Sequence, residues 1–412
     1  MTPAVATDQQ PVLDQPAPRA DEPDQAENTR SAWLRSARAG GGVWLAAVLG
    51  AVLVSWLSRI NDKASIGLHG IISSWGRYDW LWYRQIAEHG YAQLKPDDLQ
   101  PAAFFPLYPV LVRAVDVITP GGPLGGALAI SAASALGMFV VLHRLVDREF
   151  GTDTARRTML YLAAFPTGFF LLTPYPLALF LLLTVAAFFG MRTGRWWVAG
   201  ALCALATATR SSGLLLAVPF CYEYLRQRDF NPRRIRLDVL AIALVPAGLL
   251  AFMAYTNYLI GNPLAPMRAQ AFWHRAIAPP WVGIVDSARW AVRMPLLIGQ
   301  VNLLYLGSTL LALAALVLMV VGPWRMRRDQ LAFPLLCAAE VLFMISFPAS
   351  GRSGHDGGLL SASRLVLEIF PIFVLLATIG GRHRLFDRIY LFTGLLMQGS
   401  LLTAYLHNAW IA

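Results

Sequence analysis

Apolar residues in this chain come in long runs rather than in alternation. Runs at 43–59, 123–143, 157–173, 175–191, 196–209, 211–225, 238–260, 301–321, 331–348, 364–380 and 388–408 carry few charges. A bilayer crossing takes roughly 20 apolar residues in a helix, and fewer suffice inside a polytopic bundle. The pattern predicts an all-α polytopic membrane protein with about 11 transmembrane helices. The third to sixth runs are short and closely spaced. Residues 1–30, rich in Pro, Gln, Asp and Glu, are expected to form a disordered cytoplasmic tail. The remainder, 31–412, is expected to be one integral membrane domain. No basic n-region followed by an apolar h-region opens the chain, so the first run itself is expected to direct insertion.

Charge then orients the runs. Arg144, Arg148, Arg156 and Arg157 flank the second and third, and Arg192 and Arg195 follow the fourth. Arg226, Arg228, Arg233, Arg234 and Arg236 follow the sixth. Arg325, Arg327 and Arg328 follow the eighth, and Arg382, Arg384 and Arg388 the tenth. With eleven crossings all these clusters fall on one side, the cytoplasmic side by the positive-inside rule. The N-terminus shares that side. The chain is 56% hydrophobic and 14% charged, against about 25% charged for a soluble domain. Its net charge of +10 is accounted for by the loop arginines and gives no reason to expect nucleic acid. Basic residues are almost all Arg, with Lys only at 63 and 95, and Ala and Gly are abundant. This usage fits a GC-rich bacterial genome, so a bacterial plasma membrane is the expected location. Cys203, Cys221 and Cys337 lie in apolar runs, as packing cysteines do. No CxxC, HExxH or Walker pattern occurs, so no metal or cofactor is expected.

Three sizeable loops remain for the other face: 60–122, 261–300 and 349–363. Loop 60–122 is too long for a connector and is expected to be functional. Its apolar stretch 101–118 reads as an interfacial helix rather than a span. Chemistry is therefore expected outside the cytoplasm. ATP and nucleotide sugars are absent there, so an activated substrate would have to arrive through the lipid.

Within the first loop, "WGRYDWLWYRQIAEHGY" (75–91) crowds aromatic rings around an acid. Trp80, Trp82, Tyr83 and Tyr91 offer flat faces for stacking on sugars or anchoring at the headgroup layer. Asp79 among them has two compatible readings, a general base or the N-cap of a helix beginning at Trp80.

The run Asp79-Trp80-Leu81-Trp82-Tyr83, with Ile86-Ala87 and Gly90-Tyr91, resembles the first-loop motif of PIG-V-like mannosyltransferases, members of the glycosyltransferase C superfamily. "FFPLYPVLVR" (104–113), "ALATATRSSGLLL" (204–216), "GNPLAPMRAQAFWHR" (261–275) and "SASRLVLEIFPIF" (361–373) are similar to further elements of that family, in the same order. Departures are Tyr78 where the family has Trp, Asn262 where it has Asp, and Tyr175-Pro176-Leu177, which lacks the family's acidic residue. The resemblance implies an inverting transferase. It would move a hexose, mannose by family, from a polyprenyl-phosphate donor to a hydroxyl of a glycolipid, glycan or protein acceptor. By resemblance Asp79 is the catalytic base, and Trp80, Trp82, Tyr83 and Tyr108 are candidates for stacking on substrate. The leaving phosphate needs cations, for which Arg364, His355, Arg210 and His274 are candidates, with Arg275 and Arg352 beside them. Arg364 stands first because it opens a span within a family-like motif. For each, the competing reading is a snorkelling interface cation. Glu340 and Glu368 are intramembrane carboxylates open to a functional or a paired structural role. Two other functions stay open. A lipid or sugar transporter would favour internal repeats, and no clear repeat is visible. A non-catalytic partner of another transferase would explain the acid missing near Tyr175.

Overall fold

The structure, a computed structural model, describes residues 22–60, 67–293, 296–349 and 357–411, and these are helical or in turns apart from an isolated bridge between Arg275 and Ala349. In chain order the helices are α1 (Glu22–Leu57), α2 (Leu68–Ser74), α3 (Asp79–His89), α4 (Leu107–Asp116), α5 (Gly122–Phe150) and α6 (Thr152–Ala163). Next come α7 (Leu177–Arg192), α8 (Trp196–Thr207), α9 (Ala217–Arg226), α10 (Ala247–Ile260), α11 (Ala265–Arg268) and α12 (Pro280–Arg293). The last are α13 (Leu296–Val320), α14 (Ala332–Ser346), α15 (Ala362–Leu365), α16 (Phe370–Arg382) and α17 (Arg384–Leu406).

The protein is an all-α polytopic membrane protein. Four helical stretches among the described residues are long and apolar enough to cross a bilayer unaided: Thr29–Leu57, Gly122–Phe150, Gly299–Val320 and Arg384–Leu406. Two bent pairs raise the number to six if each is one span: Leu237–Leu244 with α10, at 47°, and Ala362–Glu368 with α16, at 80°. Helices α7, α8 and α14 are apolar but shorter. Every run expected to cross thus contains helix, and length and composition alone mark four to six crossings among the described residues, short of the expected eleven without the shorter apolar helices. Proline and short 3₁₀ turns explain the shortness. Pro246 caps α10 and Pro371 lies in the first turn of α16, where a missing N–H does no harm but the preceding helix must stop. The runs 157–173 and 211–225 are likewise interrupted by the 3₁₀ turns Gly168–Leu171 and Ser211–Leu216. Helix α1 starts at Glu22, inside the segment expected to be a tail, with Pro23 in its first turn. Residues 1–21 lie outside the described residues.

The bundle is built around α5 and α7. Helix α5 packs on α7, α1, α6 and α4, and α6 packs on α16. Helix α7 is buried on nearly every side, as a helix apolar all round is when it sits at a bundle's centre. Its two ends do different things. At the C-terminal end Arg192 gathers an ionic cluster: Nη2 lies 2.5 Å from Glu149 Oε2, and Nη1 lies 3.2 Å from Glu223 Oε2 and donates to the Asp329 carbonyl at 2.5 Å. Arg226 Nη2 meets the other oxygen of Glu223 at 2.6 Å. These residues stand at the ends of α5, α7 and α9 and in the α13–α14 connection, so several arginine-bearing loops share one end of the bundle. At the other end, Tyr108 Oη donates to Ala127 O, near the start of α5, at 3.1 Å. Ala127 and Glu149 are 22 residues apart on one helix, hence about 33 Å. Loop 60–122 and the arginine cluster therefore occupy opposite ends.

Glu149, Arg192 and Glu223 are almost fully buried, so removing the shared cation strands the Glu149 carboxylate and leaves Glu223 with Arg226 alone as its cation. Arg192→Ala should cost about 3–5 kcal/mol. Thermal unfolding in mild detergent should register it as a large drop in midpoint. A shift within a degree or two of wild type would show that the cluster contributes nothing.

Candidate active site

Asp79 is the first residue of α3, and a strained turn delivers it. Tyr78 has φ +52°, a region that L side chains rarely adopt. The backbone before it is pinned. Tyr405 Oη donates to Trp75 O and Tyr175 Oη to Arg77 O, each at 2.9 Å, and Arg77 Nε donates to Ser74 O at 3.2 Å. The Tyr78 ring is held against Tyr405 and Trp410. Each such non-glycine residue costs about 1–3 kcal/mol and persists only where its surroundings over-determine it. The same cost recurs around one cavity: His274 (φ +52°), Ser361 (φ +63°) and Asn408 (φ +66°) precede Arg275, Arg364 and Trp410, which line it with Asp79.

The Asp79 side chain does not cap α3; the N-cap is Tyr78, and it makes no side-chain cap bond. Backbone carbonyls serve the first N–H groups instead, Trp80 N donating to Arg77 O and Leu81 N to Tyr78 O. The carboxylate turns to a partner far away in sequence. Arg364 Nη1 donates to Asp79 Oδ2 at 2.7 Å, with both side chains less than a quarter exposed. The guanidinium of Arg364 also lies 5.5 Å from the Tyr175 ring centroid and 5.8 Å from that of Phe170. Both rings can hold it by cation–π attraction.

The cavity measures about 640 Å³. Its lining includes three arginines, Arg210, Arg275 and Arg364, and three acidic side chains, Asp79, Glu340 and Glu368. Arg210 Nη1 is 3.1 Å from Glu368 Oε1, and Ser212 Oγ donates to Glu368 Oε2 at 3.3 Å. Arg275 donates to two carbonyls, Phe347 O at 3.3 Å and Leu360 O at 3.0 Å. Burial, with Arg364 and Arg210 nearby, lowers its pKa to about 10, so it stays charged at neutral pH. Tyr83 also lines the cavity, and burial with the Asp79 charge raises its phenol, which keeps the O–H as a donor. The rest of the wall is largely apolar, including Leu214, Leu215, Leu249, Met267, Phe343 and Met344. No group of three or more His, Cys, Asp or Glu suited to a metal occurs among the described residues.

Of the residues singled out from sequence, the cavity brings together Asp79, Tyr83, Arg210 and Arg364. Others lie elsewhere. Trp80 and Tyr108 are core residues, 2% and 0% exposed, and a ring packed on both faces cannot stack on a ligand. Tyr108 spends its hydroxyl on Ala127 O and Ser131 Oγ. Trp82 stacks on Phe104 at 5.6 Å and does not line the cavity. Their spacing in α3 and α4 explains this, since the apolar face of a short amphipathic helix must be buried. His274 is exposed and outside the wall; its neighbour Arg275 takes the place beside the cavity. His355, with Arg352, lies outside the described residues. Trp273, Phe104, Gln270 and Trp410 line the cavity without having been expected there. Trp273 stood in the quoted loop motif, whereas a tryptophan after the last apolar run gave no signal.

A family model described as Mannosyltransferase (PIG-V) matches residues 46–311. That range includes Asp79, Arg210 and Arg275 and stops short of Glu340, Arg364 and Glu368. The GPI alpha-1,6-mannosyltransferase 2 of Mus musculus is 29% identical over 252 residues, 53% of this chain and 49% of that protein. The Homo sapiens protein of the same name is 30% identical over 234 residues, 51% and 45% of the two chains. The Rattus norvegicus one is 28% identical over 338 residues, 72% and 65%. The chain spans about half the length of the mouse and human relatives it matches. No solved structure matches it.

The geometry makes Asp79 and Arg364 energetically dependent on each other. Asp79→Asn and Arg364→Met, singly and combined, should give a thermal-stability cycle with a coupling of about 1–3 kcal/mol, the double variant losing less than the sum. Additive losses would mean that the two side chains are not paired in the folded protein.

Proposed function

The chain belongs to the PIG-V mannosyltransferase family, and we propose that it transfers a mannosyl residue from a polyprenyl-phosphate donor to a hydroxyl of an extracytoplasmic glycolipid, glycan or protein. The observation that carries this reading is the cavity itself. It sets one carboxylate from the aromatic first loop against three arginines, with an apolar wall alongside. A lipid-linked phosphate sugar asks for those three kinds of surface: cations for the phosphate, a proton acceptor for the nucleophile and apolar side chains for the start of the tail.

In the proposed reaction the acceptor oxygen attacks the anomeric carbon from the face opposite the phosphate. The bond from that carbon to the phosphate oxygen breaks, and its electron pair leaves with the phosphate. The hydroxyl proton passes to Asp79. The products are the mannosylated acceptor and polyprenyl phosphate, with the anomeric centre inverted. The relatives' names specify an α-1,6 linkage. If this chain makes an α product as well, inversion requires a β-linked donor. Arg364 holds the leaving phosphate, supported by Arg210 and Arg275. An arriving phosphate therefore competes with Asp79 for Arg364, so that donor binding releases the base from its ion pair. The arginine cluster around Arg192 is on the cytoplasmic side by the positive-inside rule, and the cavity at the opposite end opens outside.

Three measurements test this. Asp79→Asn in reconstituted protein supplied with polyprenyl-phosphate mannose should lose roughly 10²–10⁴-fold in turnover while still binding donor. Near-wild-type turnover would remove Asp79 as the base. Arg364→Lys keeps the charge but not the planar fork, so partial activity is expected, with little in Arg364→Ala and weakened donor binding in both. Unchanged donor affinity in Arg364→Ala would move the phosphate to Arg210 or Arg275. Reporter fusions at 230, 326 and 384 should lie in the cytoplasm, and at 95 and 280 outside; finding 95 and 230 on the same side sinks the orientation.

A further inference from the structure

Five of the six charged groups around the cavity are accounted for. Asp79 has Arg364 at 2.7 Å, and Glu368 has Arg210 at 3.1 Å with the Ser212 hydroxyl. Arg275 is held by two backbone carbonyls. The sixth, Glu340 on α14, is 6% exposed, lines the cavity and makes no hydrogen bond among the described residues. Its charged neighbours are Glu368, of the same sign, and Arg210, which Glu368 already engages.

An intramembrane carboxylate without donors is expensive, and such residues are retained where a ligand or pathway uses them. Glu340 sits three and four residues before Phe343 and Met344, which also line the cavity, so helical geometry puts all three on one face of α14. The carboxylate is thus presented to the cavity and wants hydrogen-bond donors from whatever occupies it. An ionised phosphate diester has no donor to offer. A polyhydroxylated ring has them in adjacent pairs that can span both carboxylate oxygens. Aromatic side chains lining the same cavity, Trp273, Phe104 and Tyr83, suit the apolar faces of such a ring.

We propose that Glu340 binds hydroxyl groups of the transferred sugar and makes the site discriminate between sugars, while the arginines take the phosphate. This rests on the reading of the cavity as a lipid-phosphate-sugar site. Glu340, beside Glu368 and Arg210, and Arg364, beside Asp79, then give the hydroxyl edge and the phosphate of the donor different anchors. Binding is sorted by chemistry: the phosphate goes to the arginines and the hydroxyl edge to Glu340.

The test uses the full-length protein and two lipids, polyprenyl-phosphate mannose and bare polyprenyl phosphate. In Glu340→Leu the mannosyl lipid should bind roughly 10–100-fold more weakly, the usual scale for hydrogen bonds to a charged group. Bare polyprenyl phosphate should bind equally well, because it carries no sugar hydroxyls for Glu340 to hold. Glu340→Gln, which keeps the shape and an acceptor oxygen, should fall between wild type and Glu340→Leu for the mannosyl lipid, and it serves if the leucine variant misfolds. Preference for mannosyl over glucosyl lipid should narrow in both variants. Equal losses for the sugar-bearing and bare lipids would make Glu340 a structural residue and overturn the proposal, as would no change for either. Wild-type protein that binds neither lipid would instead reject the donor reading on which the proposal rests.

Discussion

The ion pair between Asp79 and Arg364 ties the first loop to the far end of the chain. Its members are nearly three hundred residues apart, yet their atoms meet at 2.7 Å inside a membrane-embedded bundle. A carboxylate alone there would be costly, and so would a lone guanidinium. Each therefore dictates the position of the other. The surrounding tyrosines turn that electrostatic demand into geometry. Tyr175 supports the guanidinium with its ring and fixes the Arg77 carbonyl with its hydroxyl, while Tyr405 fixes Trp75. The strained residue Tyr78 is what remains when both ends of a short turn are nailed down.

Distance along α5 and α7 separates two ionic systems of opposite character. At one end, Arg192 is locked between Glu149 and Glu223 and closed by Arg226 and a backbone carbonyl, leaving nothing to offer a ligand. At the other, the pairs face a cavity and Glu340 is left over. The first system is closed on itself, whereas the second borders open space. Both contain arginines and acids in similar numbers; what distinguishes them is whether an open volume adjoins the charges.

Much of this was legible in the apolar runs and loop motifs. The helical class, the sharing of one bundle end by several arginine-bearing loops, and the choice of Asp79 and Arg364, which the structure brings together at the cavity, all follow from local sequence. Helix lengths did not, because apolar composition continues across Pro246 and Pro371 while the helix does not. The fate of individual aromatics was equally hidden. Trp80, Tyr83 and Tyr108 look interchangeable on paper, and which faces a cavity depends on how α3 and α4 lie on α5. Likewise, Glu340 and Glu368 are both acids in apolar runs, and only the placement of Arg210 and Ser212 gives one an ion pair and a hydrogen bond that the other lacks among the described residues.

The setting of three acidic side chains among three arginines has a consequence for turnover. A sugar-bearing phosphodiester carries one negative charge, whereas the monoester left behind carries about 1.5–2 near neutral pH. A cavity lined by arginines alone would hold the spent lipid more firmly than the fresh one and choke on its own product. Acidic side chains beside those arginines weaken the grip on the more highly charged species most. On the proposed reading, the acidic side chains set among these arginines are also what lets the exhausted carrier slip back into the bilayer.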